Sequence, residues 1–140
     1  MSEFDVDEFL ARPLTARVAT AGPTGRPTWY LWEDGAFWIL SGPWSRLPGR
    51  VRARPRLALV VDVCELDTGV VRQVVASGDA ALRPFDVARG RRKLVRYLGP
   101  DESRWDPRFR AYLHDDDLGT VWVHLRPSRL VAKDLSYQVS

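Results

Sequence analysis

Residues 28–40 read TWYLWEDGAFWIL. Asp34-Gly35, at the middle of this aromatic stretch, is the dipeptide preferred in a tight primed turn between antiparallel strands. The stretch therefore predicts a β-hairpin. In an extended strand Trp29 and Leu31 face one side and Tyr30 and Trp32 the other, so both faces carry large apolar surface. One face can fill a core. The other calls for a cover, either a second subunit or a flat ligand.

Working outward, ARVATA (residues 16–21) is a strand of small residues, Gly22-Pro23-Thr24-Gly25 is a turn, and Thr28 to Trp32 is expected to pair back as a hairpin. LALVVDV (57–63) is an apolar run of strand length, and residues 70–82 form a longer strand in which Gly78 marks a bulge. Two further strands, 120–125 and 129–135, are separated at Pro127. Three short helices accompany them. Asp5 and Glu8 have capping-box spacing, with Phe4 and Phe9 at the staple positions and Pro13 as the stop. Asp86 caps a helix to Leu98 with Val87, Leu94, Val95 and Leu98 on one face, ended by Gly99-Pro100. Asp106-Pro107 opens a third, with Phe109, Tyr112 and Leu113 inward. Six or seven strands in consecutive hairpins with short helices predict a mainly β, small antiparallel barrel rather than a parallel α/β sheet.

A chain of 140 residues is the length of one domain, 1–140, with a core of its own. No apolar run reaches bilayer length, the acidic start lacks a leader's layout, and a single Cys64 forms no internal disulfide. A reducing cytoplasm and no membrane partner are expected. The net charge of +3 raises a polyanion as partner. Yet lysine occurs only at Lys93 and Lys133, isoleucine only at Ile39 and asparagine nowhere, the mark of a GC-rich genome that writes arginine for any cation. Nucleic acid is accordingly the weakest of the partner readings.

There is no GxGxxG, no Walker loop and no Cys/His spacing for zinc. Cys64 reads as an inert, buried strand cysteine, and His114-Asp115-Asp116-Asp117 as a solvated loop after a helix end. The segment SGPWSRLPGRVRARPR (41–56) carries more. Ser41, Gly42 and Ser45 offer small side chains and open amides in a turn entering a short helix, where an anion would be met. Arg46 and Arg50 stand one helical turn apart. Pro48, Gly49 and Pro55 limit the helix and send Arg52, Arg54 and Arg56 to solvent. Arg89, Arg91, Arg92, Lys93 and Arg96 read as a solvated helix face.

The order of ARVATAGPTGRP, TWYLWEDGAFWIL, SGPWSRLPGRVRARPRLALVVDV, VRQVVASGDAAL and RRKLVRYLGPDE resembles the pyridoxamine phosphate oxidase-like, flavin-reductase split-barrel superfamily, including its deazaflavin branch, over most of the chain. The resemblance implies a six-stranded antiparallel split β-barrel, a homodimer, and FMN or a deazaflavin coenzyme in a groove between subunits. By it the strand Trp29, Tyr30, Leu31 and Trp32 borders the cofactor ring. Ser41, Ser45 and Arg46 match the phosphate-binding turn, and Gln73 matches a glutamine reaching the cofactor from the partner chain. Where relatives commonly carry lysine after the Ser-Arg pair, this sequence has Leu47, with Arg50 as the substitute cation. The expected function is hydride transfer between FMN or a deazaflavin and a small planar substrate, with no protein acid, base or metal required. Sequestration of a flavin- or haem-type ligand without turnover is the alternative, and nucleic-acid binding the third.

Overall fold

The computed structural model describes residues 3–22 and 24–140, so Pro23 of the expected first turn and the first two residues lie outside the described residues. The strands are β1 (Ala16–Thr20), β2 (Thr24–Thr28), β3 (Leu31–Glu33), β4 (Ala36–Ser41), β5 (Arg56–Glu65), β6 (Val70–Pro84), β7 (Val121–Leu125) and β8 (Arg129–Asp134). The helices are α1 (Val6–Leu10), α2 (Leu47–Ala53), α3 (Val87–Leu98) and α4 (Pro107–His114).

The central hairpin forms as its turn chemistry dictates: Asp34 and Gly35 both have positive φ, 55° and 69°, and Leu31 pairs with Trp38 across β3 and β4. Its first strand is shorter than expected. β1 pairs with Thr24–Thr28 rather than with the aromatic residues, and Trp29 and Tyr30 leave the ladder. The reason is nonlocal: the Tyr97 hydroxyl on α3 accepts from the Tyr30 amide at 3.1 Å and donates to the Leu14 carbonyl at 2.7 Å. A backbone donor already satisfied by a side chain has no need of a strand partner.

Among the described residues the sheet has eight strands, not six, in the order β2-β1-β5-β6-β7-β4-β3, with β8 on β6. It is antiparallel throughout and does not close. β1–β2, β3–β4 and β5–β6 are local hairpins, whereas β1–β5 and β4–β7 join distant segments, so the expectation of consecutive hairpins holds only in part. β6 organises the whole: residues 70–79 pair with β5, 72–77 with β8, and 80–84 with β7. Gly78 is not a bulge, since its register with Leu57 is unbroken. It sits where β6 exchanges β8 for β7, and a Cβ there would lie 3.0 Å from the Ser128 amide nitrogen. Close passage of another backbone requires glycine at that point.

Inward-facing Leu57, Leu59 and Val61 of β5 pack with Val18, Val74, Ile39, Val123 and Leu125, and α1 and α2 close the core with Leu10, Leu47 and Val51. β5 thus alternates rather than being buried throughout, and Cys64 near its end is exposed, contrary to the expected buried thiol. The α1 cap forms as read: Asp5 accepts from the Glu8 amide at 3.1 Å, and the Phe4 and Phe9 rings meet at 5.1 Å. Asp86 and Asp106 cap α3 and α4.

A second apolar cluster, Leu94, Trp105 and Leu113, joins α3 to α4. It supplies part of the cover that the aromatic hairpin requires. Trp29 stacks on Tyr97 at 4.4 Å and on Phe109 at 5.5 Å, and Trp38 packs against His124 at 4.4 Å beneath the Arg89 guanidinium. Part of the second hairpin face is therefore covered from within the chain, while Trp29, Trp32 and Trp38 stay partly exposed. The α3 face differs from its reading as well: Val87 is exposed, Lys93 is buried, and Arg89, Arg91 and Arg92 are ion-paired to Glu33 and Glu102. Arg96 donates to the Leu10 and Arg12 carbonyls. These cations fasten the helix to the body of the protein.

Candidate functional site

β4 ends at Ser41, and Gly42 to Arg46 turn the chain into α2, with the Ser45 amide donating to the Gly42 carbonyl at 3.1 Å. Pro48 lies in the first helical turn, where its missing N–H leaves no bond unmade, so α2 runs through Pro48-Gly49 without interruption. Leu47, Pro48 and Val51 face the interior. That leaves Arg46, Arg50 and Arg52 on the opposite side, where with Gly42, Ser45 and Gly119 they line a cleft of about 680 Å³. Arg52 is exposed, as the prolines suggested, and also borders this cleft.

Across the Ser45-Arg46 backbone lies a second cleft of about 400 Å³, lined by Arg26, Thr28, Ser41 and Trp44 together with Ser45 and Arg46. Through Thr28 it adjoins a third, of about 430 Å³, bounded by Trp29, Arg108, Phe109 and Tyr112. The three neighbouring clefts share lining residues, Ser45 and Arg46 between the first two and Pro27 and Thr28 between the last two, and are together termed the groove. Its wall is a run of rings: Trp44 on Tyr112 at 5.3 Å, Tyr112 against Phe109 at 6.1 Å, and Phe109 on Trp29 at 5.5 Å. Gly42 allows Trp44 to fold back, since a Cβ there would stand 2.3 Å from the indole.

No carboxylate lines the first two clefts. Among the described residues Arg46, Arg50 and Arg52 have no ion-pair partner, whereas Arg89, Arg91 and Arg92 all have one. Arg50 Nε is moreover a buried donor with no acceptor. Such a group carries a desolvation cost. The donor set, guanidinium groups and a serine hydroxyl, fits a phosphate or carboxylate. Behind the aromatic end Lys93 is buried, its ammonium 5.8 Å from the Trp29 ring, and burial followed by the nearby Arg96 charge lowers its pKa to about 8.

Of the residues singled out by sequence, Ser41, Gly42, Ser45, Arg46 and Arg50 come together around one turn, and Trp29 reaches the adjoining cleft. Tyr30 and Leu31 do not; both are buried in the body of the protein. Trp32 faces away too, its indole N–H donating to Asp7 at 2.8 Å. Gln73 lies on the outer face of the sheet, across the ladder from Asp62 and Lys133, and lines none of these three clefts. Leu47 is buried at a position that turns toward the core, and Arg50, one turn on, lines the cleft. Arg26, Trp44 and Tyr112 were missed. Gly25-Arg26-Pro27 was visible as a motif, but nothing local in the sequence shows that Arg26 meets Ser45.

Among the described residues no group of three His, Cys, Asp or Glu side chains is placed to hold a metal ion, and His114 pairs with Glu102. Nor, among those residues, is any helix long and apolar enough to cross a membrane.

No family model and no curated protein matches the chain in sequence. Solved structures do match. A conserved hypothetical protein from Mycobacterium tuberculosis superposes with a TM-score of 0.75 at 24% identity, over 100% of this chain and 92% of that one. An F420 reductase gives 0.63 at 19% identity, over 89% and 94% of the two chains. A FAD-binding protein from Mesorhizobium loti gives 0.65 at 17%, over 97% and 96%. At such identities what the chain shares with them is the fold.

Proposed function

We propose that this protein is an oxidoreductase whose groove binds FMN or a deazaflavin, with the phosphate at Ser45, Arg46 and Arg50 and the ring toward Trp29. The observation that carries this reading is the cleft lined by Arg46, Arg50 and Arg52, which have no ion-pair partner among the described residues. An F420 reductase and a FAD-binding protein among the structures sharing the fold support a cofactor of the flavin or deazaflavin class.

Such a cofactor, when bound, supplies the ring that exchanges a hydride with a small planar substrate. The chain's own part is to bind and orient. Arg46 and Arg50 neutralise the phosphate, Ser45 donates to it, and the wall from Trp44 to Trp29 excludes water from one side of the groove. No carboxylate or histidine of the first two clefts is needed as acid or base.

The reading includes a homodimer. On the outer face of the sheet Val60, Val75 and Val131 form one lateral row across β5, β6 and β8, with Arg17 beside Val60. A second copy seated there would cover the row and bring Gln73 of one subunit toward the groove of the other. The decisive experiment is titration of the purified protein with FMN and a deazaflavin side by side, in wild type and Arg46→Ala. Micromolar binding of one cofactor, weakened by the substitution, is expected. Binding of neither ends the reading, and binding without hydride transfer to any planar acceptor points to sequestration.

A further inference from the structure

The Ser45 hydroxyl oxygen accepts two hydrogen bonds, from Arg26 Nη1 at 2.7 Å and from the Leu47 amide at 3.1 Å. A serine oxygen has two lone pairs and one proton, so both acceptor positions are taken. Only the O–H remains, and Ser45 lines both clefts of the turn. We propose that Arg26 is a positioning residue that fixes Ser45 as a pure donor, so that this hydroxyl favours an oxyanion whose oxygens carry no proton. This deepens the cofactor reading above and rests on it for the identity of the anion.

The elements explain why Arg26 can do this. It stands on β2 opposite Val18 of β1, so its place is set by the strand ladder rather than by the loop it holds. Among the described residues it has no carboxylate partner, and its bond to Ser45 is the one side-chain hydrogen bond the strand makes with the turn. The Leu47 amide is one of the orphan donors of the first turn of α2, where Arg46 makes no side-chain cap. Ser45 thus joins three things through one oxygen: the strand, the helix start and the open cleft. Without Arg26 the hydroxyl regains a free lone pair and can present an acceptor to the ligand, which an anion repels.

The test compares FMN, which has a phosphate, with riboflavin, which lacks it, across wild type, Arg26→Met, Arg26→Lys, Ser45→Ala and the Arg26→Met/Ser45→Ala double variant. Losing one hydrogen bond to a charged group is about tenfold in affinity. Arg26→Met and Ser45→Ala are each expected to weaken FMN by about that factor while leaving riboflavin unchanged, and the double variant to be no worse than Ser45→Ala alone. Arg26→Lys, which can still donate to Ser45, restores much of the loss. A second measurement needs no ligand: the Leu47 amide should exchange faster with solvent in Arg26→Met than in wild type. Losses that add in the double variant, or unchanged Leu47 exchange, overturn the positioning role while the cofactor reading stands. If wild type binds neither FMN nor riboflavin, the cofactor reading fails, and Leu47 exchange alone then decides whether Arg26 holds Ser45.

Discussion

Arg89 of α3 lies over the indole of Trp38, its guanidinium carbon 3.7 Å from the ring centroid. The same side chain donates through Nε to Glu33 at 3.1 Å, and Arg92 donates to the other Glu33 oxygen at 2.6 Å. Helix and hairpin are thus bound by one carboxylate between two guanidinium groups, beside a cation–π contact. Hydrogen bonding by Arg92 first, opposed by partial burial and aided by Arg89, holds the Glu33 carboxyl below its usual range. A carboxyl whose folded pKa is depressed contributes stability above its unfolded pKa and loses it as pH falls through the folded value. Glu33→Gln is expected to lower stability by about 1–3 kcal/mol at pH 7. In urea unfolding the gap to wild type should narrow at an acid pH below the ordinary carboxylate range. An equal gap at both pH values would show that packing, not the ion pair, holds the helix.

Lys93 pulls the other way. Its folded pKa, lowered to about 8 by burial, lies below the unfolded value, so the unfolded chain binds the extra proton between the two. Stability therefore rises with pH from about 8 toward 10. Above 10 the trend reverses, because burial raises the Tyr30 and Tyr97 phenols and the unfolded chain ionises first. Lys93→Met, which keeps the length and removes the charge, should stabilise the fold at pH 7 by on the order of 2 kcal/mol and flatten the rise above pH 8. Thermal melts from pH 6 to 10 would reveal it; a destabilised variant at pH 7 would mean the ammonium has a partner in solution.

For the groove, Arg50→Gln should weaken the cofactor that binds by about tenfold, since it removes a charge while keeping a polar side chain. The salt dependence of binding should also become shallower. Fluorescence titration at two salt concentrations reads both effects. Equal affinity in wild type and variant would separate the anion from Arg50.

Gly78→Ala tests the point at which β6 exchanges neighbours. The added Cβ would meet the Ser128 amide nitrogen at 3.0 Å and the Arg126 carbonyl at 3.2 Å, both backbone atoms that cannot turn aside. A loss of about 1–3 kcal/mol is expected. A neutral result would show that the loop before β8 yields.

The dimer has its own probe in Val75, 38% exposed at the middle of the valine row. Val75→Lys should convert a sedimenting dimer to monomer with little change in the monomer's fold. Wild type that sediments as a monomer would remove the intersubunit groove from the proposed function, and with it the role of Gln73.

Local chemistry was enough to read the caps at Asp5, Asp86 and Asp106, the Asp34-Gly35 turn, and the approximate position of every strand except β2, with β3 shorter than read. Each depends on residues within a few positions of one another, which sequence displays directly. The turn from Ser41 to Arg50 was legible for the same reason: small residues, a serine and two arginines at helical spacing sit side by side in the chain.

What the chain could not display is pairing across long separations. Arg50 and Arg92 are the same residue type in similarly basic segments, yet one lines an open cleft and the other is held by a glutamate 59 positions away. Likewise a two-faced aromatic hairpin calls for a cover, and only the docking of α3 and α4 decided that Tyr97 and Phe109 provide part of it. Composition and local pattern determined the strands, their turns and a cationic turn after β4. Tertiary structure decided which cations remain free to meet a ligand, because a charge is neutralised by whatever folds beside it.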